Sequence, residues 1–428
     1  MKKFGVSILG LGTVGGGTYK ILSENRDRIK NQYGVDVYVA AVLDKDTSKL
    51  DALNIPEELR AKDIFEIVSN PDVDVVCELI GGVGIAKTFV ETALKAGKTV
   101  VSANKELIAK EFAQLNTLAK DSRAGLYYEA SCVGGTPVIR VLNDSMQGNL
   151  ITEIEGIVNG TTNYILSKMS QDGVSYDEAL KEAQNLGFAE ANPSADVDGF
   201  DAGYKLAILS SLAFKGEIPH DKVFKEGISQ IKKEDIAFGK ELGFTLKLLA
   251  IGKRKGNTVE ARVHPAFVKN SDALAHISGS FNALKINGDN VGEITLVGKG
   301  AGSLPTGSAV VSDVIYATKF IEGCDHYYIT DQQAWKSTNL KIATDFKSRY
   351  YLRLTVADKA GVLAEIGKVF AKNKVSICEI IQKSGNKEGI VPMILTTHLT
   401  KESDVKKALE EIKHLEEVEN VEAVIRIA

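Results

Sequence analysis

The sequence is poor in several residues whose abundance would set its class. Four cysteines (Cys77, Cys132, Cys324 and Cys378) are scattered over 428 residues, so neither a disulfide framework nor a zinc spacing can be read from them. Proline occurs only 8 times against 39 glycines, so the glycines need a backbone explanation that disorder does not supply. No sign of charge predominates: 52 Lys and Arg face 56 Asp and Glu, a net charge of −4. That balance excludes the strongly basic footprint of a nucleic-acid-binding protein. No apolar run approaches the ~20 residues that span a bilayer. The opening MKKFGVSILGLG is basic and then apolar, but glycines break its apolar stretch and no clean small-residue cleavage site follows. With 44% apolar and 25% charged residues, the composition is that of a globular protein, expected in the cytoplasm. At ~150 residues per domain, two or three domains are expected.

Apolar runs at 4–10, 36–43, 73–81, 98–105 and 126–131 alternate with helical patterns such as 87–96 and 106–120. Strand and helix alternating over short connections predict right-handed βαβ units and a parallel sheet. From about 150 to 320 the order is mixed, with strands predicted at 152–159, 245–251, 258–266 and 292–298 and helices at 175–186, 199–214 and 307–321. This reads as a separate α+β layer. A polar connector follows, and residues 349–428 read as a self-contained βαββαβ unit, a small antiparallel sheet with helices on one face.

Gly10-Leu11-Gly12-Thr13-Val14-Gly15 fits G-x-G-x-x-G between a predicted strand and helix. The first glycine permits the tight turn, the second lets backbone amides approach a pyrophosphate, and the third lets helix and strand pack closely. Dinucleotide binding is therefore expected over residues 1–150, on a Rossmann fold, with 151–328 as the α+β layer, 329–348 as linker and 349–428 as a third unit. The second strand ends at Leu43, before Asp44 and Lys45. Asp44 would accept hydrogen bonds from the ribose 2′-OH of NAD, whereas Lys45 would neutralise the 2′-phosphate of NADP; the balance leans slightly to NAD. A second glycine cluster at 298–309 could close over the cofactor.

The stretch 179–209 carries Glu190, Asp196, Asp198, Asp201 and Lys205. Asp201 and Lys205 are four residues apart and share one helical face. Lys205 leads into the apolar run Leu206–Leu209, so its ammonium would be partly desolvated, a usable proton donor held by Asp201. An isolated pair of this kind is more often a surface ion pair. Lys105 follows the strand residues VVS at 100–102, at the carboxyl edge where parallel sheets bind ligands.

These features together resemble the homoserine dehydrogenase family. Ala183, Gly187, Asn192-Pro193, Asp196, Gly199, Asp201 and Lys205 match its signature, and NGTTNYIL at 159–166, SANKELIA and GLGTVG look similar. The resemblance covers roughly residues 1–320. The tail resembles an ACT domain, an amino-acid-sensing module, with DKAGVL (Asp358 to Gly361 and beyond) at its ligand-proximal turn. The resemblance implies NAD- or NADP-dependent hydride transfer between L-aspartate 4-semialdehyde and L-homoserine, a step toward threonine, methionine and isoleucine. It implies that Lys205 donates the proton in aldehyde reduction, with Lys105 near the reacting oxygen and the cofactor. Glu190, Asp196 and Asp201 would bind substrate or hold the lysine, with Gly187 and Thr161 among the substrate contacts. Gly10, Gly12, Thr13, Val14, Gly15 and Gly302 would touch the cofactor. The family also implies a sodium-type cation held by Glu129 and the carbonyls of Cys132, Gly134 and Thr136, oxygen donors that suit a hard ion. A homodimer or homotetramer, and a threonine effector at the ACT domain, are expected.

Two rival readings remain. A phosphorylating semialdehyde dehydrogenase would need a cysteine nucleophile, and Cys132 is the one suitably placed; a buried, inert thiol is its simpler role. A non-catalytic amino-acid sensor would leave the lysine–acid set structural. His264, beside Pro265, is read as marking a strand end. Trp335, Tyr127 and Tyr128 are read as core or interface aromatics.

Overall fold

The computed structural model describes residues 2–321, 339–382 and 389–428. Cys324, His326, Trp335 and residues 329–338 of the expected connector lie outside them. The amino-terminal body alternates β1 (Lys2–Leu9), α1 (Thr13–Glu24), α2 (Arg26–Tyr33), β2 (Val35–Leu43), α3 (Thr47–Ala52), α4 (Ile64–Ser69), β3 (Val75–Glu78), α5 (Gly84–Lys95), β4 (Thr99–Ser102), α6 (Lys105–Lys110), α7 (Phe112–Asp121) and β5 (Leu126–Tyr127). The strands form a five-stranded sheet in the order β2-β1-β3-β4-β5, parallel throughout. Helices on both faces bury it, so β3 and β4 are buried at every residue, as expected of a parallel sheet. The order reverses between β1 and β3, and the crevice at their carboxyl ends is where such sheets take ligands. The fifth predicted strand stops at Tyr127, and Glu129–Ser131 turn as one 3₁₀ segment.

The chain then runs through β6 (Ile151–Ile157), α8 (Gly160–Asp172), α9 (Tyr176–Asn185), α10 (Ser194–Val197), α11 (Phe200–Phe214), β7 (Phe224–Lys225), α12 (Lys233–Glu241), β8 (Phe244–Lys255), β9 (Thr258–Lys269), β10 (Phe281–Gly288), β11 (Gly292–Lys299) and α13 (Ser303–Ala317). It ends in β12 (Lys341–Ile342), β13 (Lys347–Ala357), α14 (Val362–Lys372), β14 (Ile377–Gln382), β15 (Ile390–Thr397), β16 (Thr400–Lys401), α15 (Glu402–Ile412) and β17 (Val418–Ile427). Helix α11 is buried almost throughout, which accounts for its long apolar run. Helix α13, predicted as part of the second domain, returns to the first. Its Val310, Val311 and Val314 share a core with Val6, Ile8 and Leu22.

The carboxy-terminal unit is βαββαβ in order, yet its sheet is not a separate one. Strand β17 pairs with β9 in parallel, Arg426 beside Ala266 and Ile427 beside Phe267, joining both into a twelve-stranded sheet. Tyr350, Leu352, Leu354 and Val356 face α14 and α15, while Tyr351, Ile394, Ile425 and Ile427 enter the central core. Both faces are therefore covered, and the unit is not self-contained as its pattern suggested. His264 also departs from expectation: it lies inside β9, which continues to Lys269. The carbonyls of Val263 and Phe267 face β7 and β17. By strand alternation the missing N–H of Pro265 faces the gap between those two strands, where no ladder bond is lost.

Candidate active site

Four elements bring the charged groups together. Asn159 caps α8, its side chain accepting the Thr162 amide. Its Nδ2 donates to Asp196 Oδ1 at 2.7 Å and to Asp201 Oδ2 at 2.9 Å. From α11, Lys205 Nζ donates to Asp201 Oδ2 at 2.6 Å and to the Val158 carbonyl at 2.8 Å. From the first residue of α6, Lys105 Nζ lies 3.1 Å from Asp201 Oδ1. One buried carboxylate is thus held between two ammoniums. An ammonium has three donors, so Lys205 retains one for a further acceptor. Asn159 was not singled out by sequence reading, although Asn-Gly-Thr-Thr ahead of a helix is a capping pattern.

The electrostatics follow from this packing. Burial alone would push the Asp201 carboxyl up, but Lys205 and Lys105 outweigh it and hold the group well below the usual carboxylate range. The charge of Asp201 in turn raises Lys105. Burial, then the neighbouring Asp201, pushes Asp196 up. Lys105 is placed by Asn104, which caps α6 through the Leu107 amide and donates to the Gly82 carbonyl. Beneath it, fully buried Glu78 accepts Ser102 Oγ at 2.7 Å and the Ile80 amide at 3.0 Å. This acid, also missed in the sequence, ties together the loops after β3 and β4.

Thr161, in the first turn of α8, meets the loop after α9 that carries Gly187: Thr161 Oγ1 donates to the Phe188 carbonyl at 2.6 Å, and Gly187 turns with φ +76°. Glu190 is exposed and contributes to raising Lys105.

The glycine turn joins β1 to α1. Gly10 has φ +89°, and a Cβ at Gly15 would overlap the Gly10 carbonyl. Around Gly12, by contrast, a Cβ would meet open space, room for a ligand at the helix amino terminus. Asp44 accepts the Leu11 amide at 2.6 Å and the Asp46 amide at 2.9 Å, with Lys49 3.8 Å away. Its carboxylate thus braces the glycine turn, while Lys45 is exposed beside it. Gly302 precedes α13 with φ +129°, and α13 packs on α1: a Cβ at Gly17 would overlap the Ser303 carbonyl.

Glu129 is buried, and its two oxygens accept the Ile139 and Arg140 amides at 2.8 Å each. Burial, and then the charge of Asp313, pushes its carboxyl above the usual carboxylate range. Val133 and Gly134 both have positive φ, and among the described residues no turn or loop amide donates to the carbonyls of Cys132, Gly134 or Thr136. Those three oxygens fit a hard cation better than a carboxylate already bonded twice. Cys132 is fully buried, and burial pushes its thiol up to about 12. It has none of the thiolate character a nucleophile requires. His264 is likewise buried, 2.9 Å from Arg262 and stacked on Phe346, and lies outside the acid–lysine centre. Among the described residues, no helix is long and apolar enough to cross a membrane.

Residues 10–129 match the family described as the homoserine dehydrogenase NAD-binding domain, residues 137–315 that of homoserine dehydrogenase, and residues 350–417 the ACT domain. A homoserine dehydrogenase of Bacillus subtilis (strain 168) is 40% identical over 430 residues, covering 100% of this chain and 99% of the relative. The chain belongs to the homoserine dehydrogenase family. A second homoserine dehydrogenase, from Neisseria gonorrhoeae, is 38% identical over 432 residues, covering 100% of this chain and 99% of its own. The crystal structure of a homoserine dehydrogenase from Thiobacillus denitrificans is 37% identical with a TM-score of 0.92, covering 100% of this chain and 99% of that one. A hyperthermophilic archaeal homoserine dehydrogenase mutant in complex with NADPH is 30% identical with a TM-score of 0.63, over 74% of this chain and 98% of that one. As a family member the chain is an oxidoreductase that binds a nicotinamide cofactor and carries an ACT domain.

Proposed function

We propose that this protein interconverts L-aspartate 4-semialdehyde and L-homoserine at the Lys105–Asp201–Lys205 centre. The observation that carries the reading is the buried Asp201 carboxylate bridged by two ammoniums, at 2.6 and 3.1 Å, beside the carboxyl edge of a dinucleotide-binding sheet. When bound, the nicotinamide cofactor supplies or accepts the hydride at the substrate C4. Lys205 offers its remaining N–H to the substrate oxygen and protonates the developing alkoxide; Lys105 stabilises that charge from the other side. Asp201 holds both lysines and Asn159 holds Asp201. Glu190 and Asp196 bind the α-ammonium of the zwitterionic substrate, with Thr161 and Gly187 shaping the loops around it.

The turn Gly10–Gly15, with Thr13 and Val14 opening α1, and Gly302 opposite it, would hold the cofactor pyrophosphate and nicotinamide. Cys132, Gly134 and Thr136 would hold a sodium-type cation through their carbonyls, near Glu129. A homodimer or homotetramer in the cytoplasm, with domains at 1–150, 151–328 and 349–428, completes the reading.

The test is oxidation of L-homoserine at mildly alkaline pH with NAD and NADP supplied separately. Reduced nicotinamide is expected; its absence with both, despite dinucleotide binding, would rule the substrate out and return attention to sensing. L-threonine added to the same assay is expected to inhibit through the ACT turn at Asp358–Gly361, and indifference to it would remove threonine as the effector. With Asp44 occupied by backbone amides, Lys45 is the charged group left for a ribose 2′-phosphate. Lys45→Ala should raise the KM for NADP roughly fivefold, the worth of an exposed ion pair, and leave that for NAD unchanged. Equal effects on both cofactors would assign Lys45 no part in the choice.

A further inference from the structure

The segment 224–228 lies between the ACT domain and the acid–lysine centre and touches both. On the ACT side, the buried guanidinium of Arg426 holds Glu402 through bonds of 2.6 and 3.0 Å and reaches Glu226 Oε2 at 2.8 Å. The Phe224 ring takes the same guanidinium at 5.2 Å and the Lys406 ammonium at 5.4 Å. On the other side, the Glu226 amide donates to the Val263 carbonyl and the Ile228 amide to the Val197 carbonyl, both at 2.9 Å. Val197 ends α10, next to Asp196.

Small residues permit this close fit. A Cβ at Gly227 would overlap the Val197 carbonyl, and one at Gly203 would come within 2.8 Å of the Lys225 side chain. A Cβ at Gly199, the residue capping α11, would lie 3.8 Å from the Glu226 carbonyl. The segment therefore bears on positions 197, 199 and 203, which alternate along the chain with Asp196, Asp201 and Lys205. Asp196 and Asp201 share the Asn159 amide, so a small displacement of α10 against α11 alters both. Close-packed interiors transmit such shifts because they leave no slack.

We propose that Glu226 is a positioning residue for the dehydrogenase reaction: paired with Arg426, it lets the ACT domain set, through segment 224–228, where Asp196 and Asp201 stand. The kinetic part of this inference rests on the substrate-binding role given to those acids above. A second ion pair crosses the same domain junction, Lys232 to Glu422 at 2.7 Å, but Lys232 stands beyond the segment, at the cap of α12. It separates a specific effect on α10 from a general loosening of the ACT domain.

The experiment compares wild type, Glu226→Gln, Glu226→Lys and Lys232→Glu by L-homoserine kinetics and by hydrogen exchange, with circular dichroism as the check on folding. A cation placed against the buried guanidinium should raise the KM for L-homoserine about five- to tenfold in Glu226→Lys, less in Glu226→Gln, with kcat within about threefold. Amides of 196–203 should exchange faster in Glu226→Lys. Lys232→Glu should change neither readout by more than about twofold. KM and exchange unchanged in both Glu226 variants, or moved equally by Lys232→Glu, would overturn the proposal. Exchange is read whether or not L-homoserine is the substrate, so a wrong substrate and a wrong positioning role give different results.

Discussion

Lys205→Ala should lower kcat for L-homoserine oxidation by roughly 10²–10⁴-fold, the range for loss of a positioned acid–base group. The helix carrying Lys205 is held by buried apolar neighbours, including Leu206, Ile208, Leu209 and Leu212, and alanine is the best helix former. Asp201 keeps Lys105 at 3.1 Å and Asn159 at 2.9 Å as partners, so the carboxylate is not left bare. The variant should therefore fold and bind dinucleotide while failing in proton transfer. Lys105→Ala should cost less, since in the proposed reading Lys105 would stabilise charge from a half-exposed position (44% of its side chain) and Lys205 remains. Turnover within tenfold of wild type in folded Lys205→Ala protein would show that the proton takes another route. Retention by Lys205→Ala combined with loss in Lys105→Ala would exchange the two roles.

Asp235→Ala should destabilise the junction between the ACT domain and the central layer by about 3–5 kcal/mol, the cost of leaving a buried charge unpaired. Asp235 is 1% exposed. It accepts Arg353 Nε and Nη2 at 2.6 and 3.0 Å and the Tyr351 hydroxyl at 3.2 Å. Without it, the nearest carboxylate oxygen to Arg353 is that of Glu422, at 4.0 Å. Denaturant unfolding followed by circular dichroism should show an earlier transition, and more than one step, because a loosened domain uncouples from the rest. Removing both charges, as Asp235→Leu with Arg353→Met, should recover most of the loss, since a buried pair is often worth little more than apolar groups of the same shape. A single-variant shift below about 1 kcal/mol would mean that solvent reaches the guanidinium and the pair behaves as a surface one.

Much of the cofactor domain was legible because its signals are local. A strand, a glycine turn and a helix follow one another within β1 and α1, so the constraints on Gly10 and Gly15 are carried by neighbours in the chain. The pairing of Asp201 with Lys205 was legible for the same reason, since helical periodicity alone brings residues four apart onto one face. Where a prediction failed, a distant segment had supplied what the local pattern lacked. A small sheet with helices on one face was expected at 349–428, yet both Tyr350 and Tyr351, which point to opposite faces of β13, are fully buried, because Phe267 and α12 cover the second.

Local order along the chain sets the chemistry this protein has to hand: its glycine turn, its lysine and carboxylate inventory, and the order of its elements. Helical spacing and turn geometry need only a few consecutive residues. The tertiary structure decided which of those groups meet. It set Lys105 on the far oxygen of Asp201, made Asn159 the bridge to Asp196, turned Asp44 toward the glycine turn, and joined β17 to β9. Each of these contacts links residues far apart in sequence, 160 positions (426 − 266) in the case of Arg426 and Ala266. Their partners are chosen by packing across the whole core, which no local period encodes.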